Sequence, residues 1–302
     1  MENGYHTPVM LEEAITGLNI QPAGTYVDCT FGGGGHSRAI LGQLGPNGKL
    51  IAFDQDADAA RNLPDDPRIL FVPQNFRHLQ RFLRLHGITQ VNGLLADLGV
   101  SSHQFDEAER GFSTRFNAAM DMRMDRRQQL TAFEVLETYT EPQLHRLFEL
   151  YGEVTNARTL ARKIVTVRQS VSLKTIDGFK NAIREIVKGN PQKYFAQVFQ
   201  ALRIEVNDEL GALKELLQQI PSLLKPGGRA AIITFHSLED RLVKTFFRRG
   251  SFDEPEEHPF INTEPVNELQ VVTKKPIVPT AREMKENPRS RSAKLRVAEK
   301  KE

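Results

Sequence analysis

The sequence predicts an α/β fold, a doubly wound and mostly parallel sheet with an all-helical subdomain inserted into it. Three observations predict it. Between residues 25 and 100 short apolar runs alternate with helical stretches, the pattern of consecutive βαβ units. From residue 131 onward only helix signals follow. Strand character then returns at residues 230–235, after the turn Lys225-Pro226-Gly227-Gly228.

The first strand is expected at residues 26–28, the second at 49–53, the third at 69–72 and the fourth at 91–96. A spacing of about 20 residues leaves room for crossover helices, one of which is expected at 77–86. Thr131 with Glu134 reads as a capping box, and Thr140 with Pro142 opens the next helix, which Gly152 stops. Basic residues follow at Arg158, Arg162, Lys163 and Arg168. The apolar stripe Phe195, Val198, Leu202, Val206, Leu210, Leu213, Leu217 and Ile220 predicts one helix of about seven turns. Residues 106–205 are thus expected to be a helical insertion serving substrate recognition, with 1–105 and 206–302 forming one domain around it. Residues 253–268 carry six acids, three prolines and no Lys or Arg, and read as a solvated loop. The stretch 282–302 has eight Lys/Arg against four acids, a local charge of +4.

At 302 residues the chain suits two domains, or one large domain carrying an insertion, and its 39% hydrophobic content suits a globular core. The lone Cys29 excludes an internal disulfide, a multi-cysteine zinc site and the Cys-x-x-Cys half of a zinc nucleobase deaminase. Residues 1–10 have neither a basic nor an apolar leader region, and no run of about 18 apolar residues occurs. A cytoplasmic protein with no membrane partner is expected. Net charge is only +2, so any polyanionic partner must be held by local charge.

The run Asp28-Cys29-Thr30-Phe31-Gly32-Gly33-Gly34-Gly35-His36 follows a strand and opens a helix, so backbone can approach a ligand without Cβ obstruction. Asp54 ends the second strand 22 residues after Gly32, where a carboxylate can accept from ribose hydroxyls. A nucleotide-like cofactor is the expected tenant. The dinucleotide fingerprint fails, because Ser37 and Arg38 stand where a sixth-position glycine is needed. A P-loop fails as well, since Gly48-Lys49 runs into a strand. S-adenosylmethionine suits the site better, needing an acid, an apolar wall and no pyrophosphate cradle. Asp97 closes the fourth strand at the same sheet edge. His236-Ser237-Leu238-Glu239-Asp240 closes the fifth, with Ser237 and Asp240 reading as a helix N-cap and His236 left exposed. No Gly-x-Ser-x-Gly elbow and no His-Glu-x-x-His zincin motif is present. Asp121-Met122-Arg123-Met124-Asp125 reads equally as an amphipathic surface. In the run from Asn287 to Arg296 basic residues recur in an expected strand, suiting either a solvated edge or a phosphate contact.

Together these segments resemble the bacterial 16S rRNA (cytosine-N4)-methyltransferases. The resemblance rests on His6-Thr7-Pro8-Val9-Met10, Thr30 to His36, Asp97 to Ser102, Arg110-Gly111-Phe112-Ser113, Asp121 to Asp125, Phe199 to Asn207, Phe235 to Arg241 and Asn287 to Arg296. It spans nearly the whole chain. It implies a class I methyltransferase fold with a helical insertion, and S-adenosylmethionine-dependent methylation of a decoding-centre cytosine in 16S rRNA. Gly34, Gly35 and His36 would surround the methionine moiety, with Asp54 as ribose acid, Phe76 as adenine wall, and Asp97 and Gln104 completing the cofactor site. His103 departs from the pattern, where the family more often has proline.

A sulfonium is already a good leaving group, so catalysis is mainly alignment, and Asp97 is the expected acceptor for the cytosine amino group. C5 methylation would need a cysteine nucleophile, and Cys29 lies at the end of the first strand beneath the glycine loop, so N4 chemistry is favoured. Arg123, Arg289 and Arg291 are expected on phosphates, and Asn207 and His236 near the base. The expected partner is the small ribosomal subunit or its 16S rRNA, with a homodimer left open. A non-catalytic ribosome-assembly protein is the alternative, and an NAD-linked oxidoreductase is disfavoured.

Overall fold

Strand residues of alternating orientation bury two faces of one sheet. A computed structural model of the chain describes residues 8–252 and 266–302, so His6, Thr7 and most of the acidic 253–268 stretch lie outside the described residues. The elements before residue 100 are α1 (Leu11–Leu18), β1 (Thr25–Asp28), α2 (Gly35–Gln43), β2 (Lys49–Phe53), β3 (Ile69–Val72), α3 (Leu79–Leu85) and β4 (Val91–Asp97). There follow α4 (Ser102–Asp106), α5 (Ala132–Thr138), α6 (Glu141–Leu150), α7 (Ala157–Val167), α8 (Ile176–Ile183) and α9 (Pro191–Asn207). The last are α10 (Glu209–Leu223), β5 (Leu224–Thr234), α11 (Ser237–Arg249), β6 (Leu269–Val271), α12 (Ala281–Glu286) and β7 (Lys294–Lys300). Among the described residues no helix is long and apolar enough to cross a membrane.

The seven strands are ordered β3-β2-β1-β4-β5-β7-β6, the first five parallel and β7 antiparallel to both neighbours. Alternation sorts the side chains: Val27, Ile51, Leu94, Ala96 and Ile232 join a layer with α3, α10 and α11, whereas Tyr26, Leu50, Leu95, Ala231 and Ile233 join one with α1 and α2. A sheet covered on both faces buries nearly continuous apolar runs, which is why β2 matches its expected bounds; β3, an edge strand that is mostly half-buried, matches its own as well. The Lys225–Gly228 turn is an excursion inside β5. Val91 pairs with Leu224 and Gly93 with Arg229, so four residues bulge opposite Asn92.

Two compact units separate after Gly99 and after Glu209, the second being Val100–Glu209. The cuts fall outside the expected 106–205 because α4 and α9 continue across those positions. The second unit has its own core, in which Leu136, Phe148, Leu160, Phe179, Val198 and Leu202 are fully buried. Thr131 and Thr140 cap α5 and α6 with reciprocal boxes to Glu134 and Gln143.

Three expectations need correction. The seven-turn helix is two helices, broken at Asp208, which is left-handed (φ 46°, ψ 46°). Its stripe serves two cores: Val198, Leu202 and Val206 fill one, and Leu213, Leu217 and Ile220 another. Residues 288–292 form a 3₁₀ turn, so strand begins only at Lys294. Gly152 does follow α6, but Glu153 takes the left-handed turn (φ 50°). Gly152 is needed for close packing, since a Cβ there would stand 2.8 Å from the Gln197 carbonyl oxygen.

Candidate active site

Parallel β1, β4 and β5 end on one edge in Asp28, Asp97 and Thr234. After β1 the Phe31 amide still donates to the Phe53 carbonyl (2.9 Å), and the chain then turns through Gly32 (φ 49°) and Gly34 (φ 75°) into α2. A Cβ on Gly34 would stand 2.6 Å from Arg38 Nη1, and one on Gly35 would stand 2.1 Å from Pro8 Cγ. Arg38 Nη1 donates to the Gly33 carbonyl (2.7 Å) and Asn62 Nδ2 to the Gly32 carbonyl (3.0 Å), so the loop is held from outside. No side chain caps α2. Its first-turn amides are therefore left for solvent or ligand.

Asp54 receives the Gly32 amide on Oδ2 (2.7 Å) and the Asp56 amide on Oδ1 (2.8 Å). Burial pushes its carboxyl up to about 7, against those two amides, with Asp56 and Asp28 pushing the same way. Asp28 is buried, accepts from the Thr30 amide (3.0 Å) and the Ser37 hydroxyl (2.7 Å), and is also raised, chiefly by burial. Thr30 in turn accepts the Asp97 amide on Oγ1 (2.7 Å), tying the ends of β1 and β4.

Asp97 lies well above the usual carboxylate range, first through burial, then through the charges of Asp28, Glu239 and Glu283. Its Oδ1 is buried without a hydrogen-bond partner, and its Oδ2 stands 3.8 Å from His36 Nδ1. His36 is itself buried, with Nε2 3.1 Å from the Val9 carbonyl. A carbonyl can only accept, so Nε2 carries the proton and Nδ1 presents its lone pair toward Asp97 when the ring is neutral. Burial lowers the His36 pKa, favouring that neutral form. One buried acid, Asp28, and two half-buried ones, Asp54 and Asp97, on one edge, with a neutral histidine as nearest base, make an electronegative rim that suits a cationic ligand. The orphan Asp97 Oδ1 and the glycine cradle fit a methyl donor bearing a sulfonium.

Phe76 opens a 3₁₀ turn after β3 and is half-buried against the core, leaving part of its ring exposed. Gln104 belongs to the second unit, where it is buried and closes the α4 capping box with Ser101. Cys29 is buried, and burial with the Asp28 charge pushes its thiol well up. It is no thiolate nucleophile.

The residues expected on RNA fare differently. His236 is not exposed: its side chain is 8% accessible and is itself the N-cap of α11, accepting the Glu239 amide on Nδ1 (3.4 Å). Asn207 is 2% exposed; its Oδ1 accepts the Met124 amide and its Nδ2 donates to the Met122 and Arg203 carbonyls. Arg123 pairs with Asp121 (2.8 Å) and donates to the Arg126 and Gln128 carbonyls, so it shapes its own loop. Arg289 is half-buried, while Arg291 is exposed. Sequence reasoning passed over Asp28, Thr30 and Glu283. Asp28 and Thr30 stood in the glycine motif as flanks, but no local signal marks Glu283, which accepts the Met10 amide (2.7 Å) from 273 residues away.

Strand order, the antiparallel seventh strand and the glycine-acid rim define a class I methyltransferase. The chain belongs to the MraW methylase family, whose profile matches residues 3–301. Its methyl donor is S-adenosylmethionine. The chain is 53% identical to ribosomal RNA small subunit methyltransferase H of Bacteroides thetaiotaomicron, covering 98% of each chain. It is 51% identical to the protein of the same name from Christiangramia forsetii, again over 98% of each. A solved rRNA methylase from Streptococcus thermophilus is similar with a TM-score of 0.40 and 11% identity, covering 97% of this chain and 96% of that one.

Proposed function

We propose that this protein methylates N4 of a cytosine in the decoding centre of 16S rRNA, acting in the cytoplasm on the small ribosomal subunit. Relatives sharing half the residues over the whole length carry the name of a small-subunit rRNA methyltransferase. The observation that carries the choice of nitrogen is the orphan Asp97 Oδ1 on the sheet rim. S-adenosylmethionine supplies an electrophilic methyl group on a sulfonium. A cytosine amine is a weak nucleophile because its lone pair is drawn into the ring. A carboxylate that accepts one of its hydrogens localises that pair, and a base with a raised pKa can keep the proton released. Asp97 has both properties. A cation beside it draws its pKa down, so the carboxylate form is favoured when the donor is bound. Asp54 would accept from the ribose and Phe76 would cover the adenine, with Gly34, Gly35 and His36 around the methionine end.

C5 chemistry is disfavoured because the only thiol is buried and protonated. The second unit, with the exposed Arg291 of the first, would contribute to RNA recognition.

The test is incubation with labelled S-adenosylmethionine and either small subunits or free 16S rRNA, followed by digestion and nucleoside mass spectrometry. N4-methylcytidine is expected, and 5-methylcytidine or an unmodified product overturns the reading. Asp97→Asn should abolish transfer while still binding S-adenosylhomocysteine, whose sulfur is neutral; near-normal turnover removes Asp97 from the chemistry.

A further inference from the structure

Beside α11, away from the glycine rim, lies a cavity of about 250 Å³. Lys244 and Arg248 border it from α11, Lys274 from the chain after β6, and Arg296 from β7, over Phe247 and Val271. Arg296 is already neutralised, holding Asp240 at 2.6 Å. Lys244, Arg248 and Lys274 are exposed, and among the described residues no carboxylate pairs with them. Thr273 adds a hydroxyl, and Phe247 is a buried apolar floor. Three cations with no carboxylate partner among the described residues, set around one small recess, raise a local positive potential that favours an anion. The recess also has an apolar floor at Phe247, which suits a sugar-phosphate better than a bare ion.

We infer that this cavity seats a phosphodiester of the RNA strand that carries the target base, which rests on the proposed rRNA activity. α11 begins at its His236 cap on the rim; at ~1.5 Å per residue Lys244 lies about 12 Å further along the helix and Arg248 about 18 Å. A strand entering the rim and following the helix therefore reaches the recess within a few nucleotides. The three cations give affinity and register without reading sequence.

The test is the triple variant Lys244→Ala/Arg248→Ala/Lys274→Ala, compared with wild type for small-subunit binding between 50 and 300 mM KCl. These side chains are exposed, so an unchanged thermal midpoint and S-adenosylhomocysteine affinity are expected and confirm the fold. Affinity should fall about 10-fold near 100 mM salt, and the slope of log K against log salt should shrink by about 1. KM for subunits should rise while kcat holds. Wild-type affinity and slope in the variant, with wild type active on rRNA, overturn the inference alone. Wild type inactive on rRNA overturns it together with the function it rests on. Binding of AMP or inorganic phosphate that the variant loses, with subunit binding unchanged, assigns the recess to a small ligand and also overturns it.

Discussion

The affinity of this protein for S-adenosylhomocysteine should depend on pH, and Asp54 should carry the dependence. With a carboxyl pushed up to about 7, Asp54 is mostly protonated at pH 6 and mostly ionised at pH 8. If ribose hydroxyls are held by the ionised form, affinity rises about 10-fold between those values, or about 1.4 kcal/mol. Stability of the ligand-free protein moves the other way. A group whose folded pKa lies above its unfolded value of 3.8 opposes ionisation, so it costs stability progressively as pH climbs from about 4 to about 7. From pH 6 to pH 8 that loss is again about 1.4 kcal/mol, so the saturated complex should show none of it. Calorimetric titration with S-adenosylhomocysteine is the assay. Its neutral sulfur leaves Asp97 undisturbed by a sulfonium. Asp54→Asn should bind weakly with a flat profile, and the same tenfold slope in that variant would refute the assignment.

Gly34→Ala should weaken cofactor binding, because φ 75° and a 2.6 Å approach to Arg38 leave no room, whereas Gly33→Ala, whose Cβ meets nothing within 4 Å, should bind normally; titration of both checks the contrast. Asn207→Ala should cost about 2–4 kcal/mol by stranding the Met122, Met124 and Arg203 backbone groups, read as a lower midpoint in thermal unfolding. Its salt dependence of RNA binding should stay that of wild type. Cys29→Ser should retain methyl transfer, and the folded wild-type protein should resist alkylation by iodoacetamide, since its thiol is buried and protonated.

Much of the frame could be read from residue order. Strands β2 and β3 were legible as short apolar runs between turn residues, and Asp54 and Asp97 were legible as acids ending such runs. β6 was not, since three residues at a sheet edge leave no periodicity to detect. The break at Asp208 was hidden because an unbroken apolar stripe does not say how many cores it fills. Residue type did not reveal the burial of the Asn207 and His236 side chains. Polar residues in a motif suggest solvent or ligand, but here the first braces two backbone segments and the second starts a helix. Glu283 could not be found locally, because its relation to Met10 and Asp97 exists only after distant segments pair.

That Glu283–Met10 bond has a consequence for vectorial synthesis. The glycine turn and the first four strands leave the ribosome early, yet the acid that braces the opening helix and biases Asp97 is translated only after them, 273 residues beyond the Met10 whose amide it accepts. A nascent polypeptide arrested before residue 283 would hold the fingerprint without the finished electrostatics.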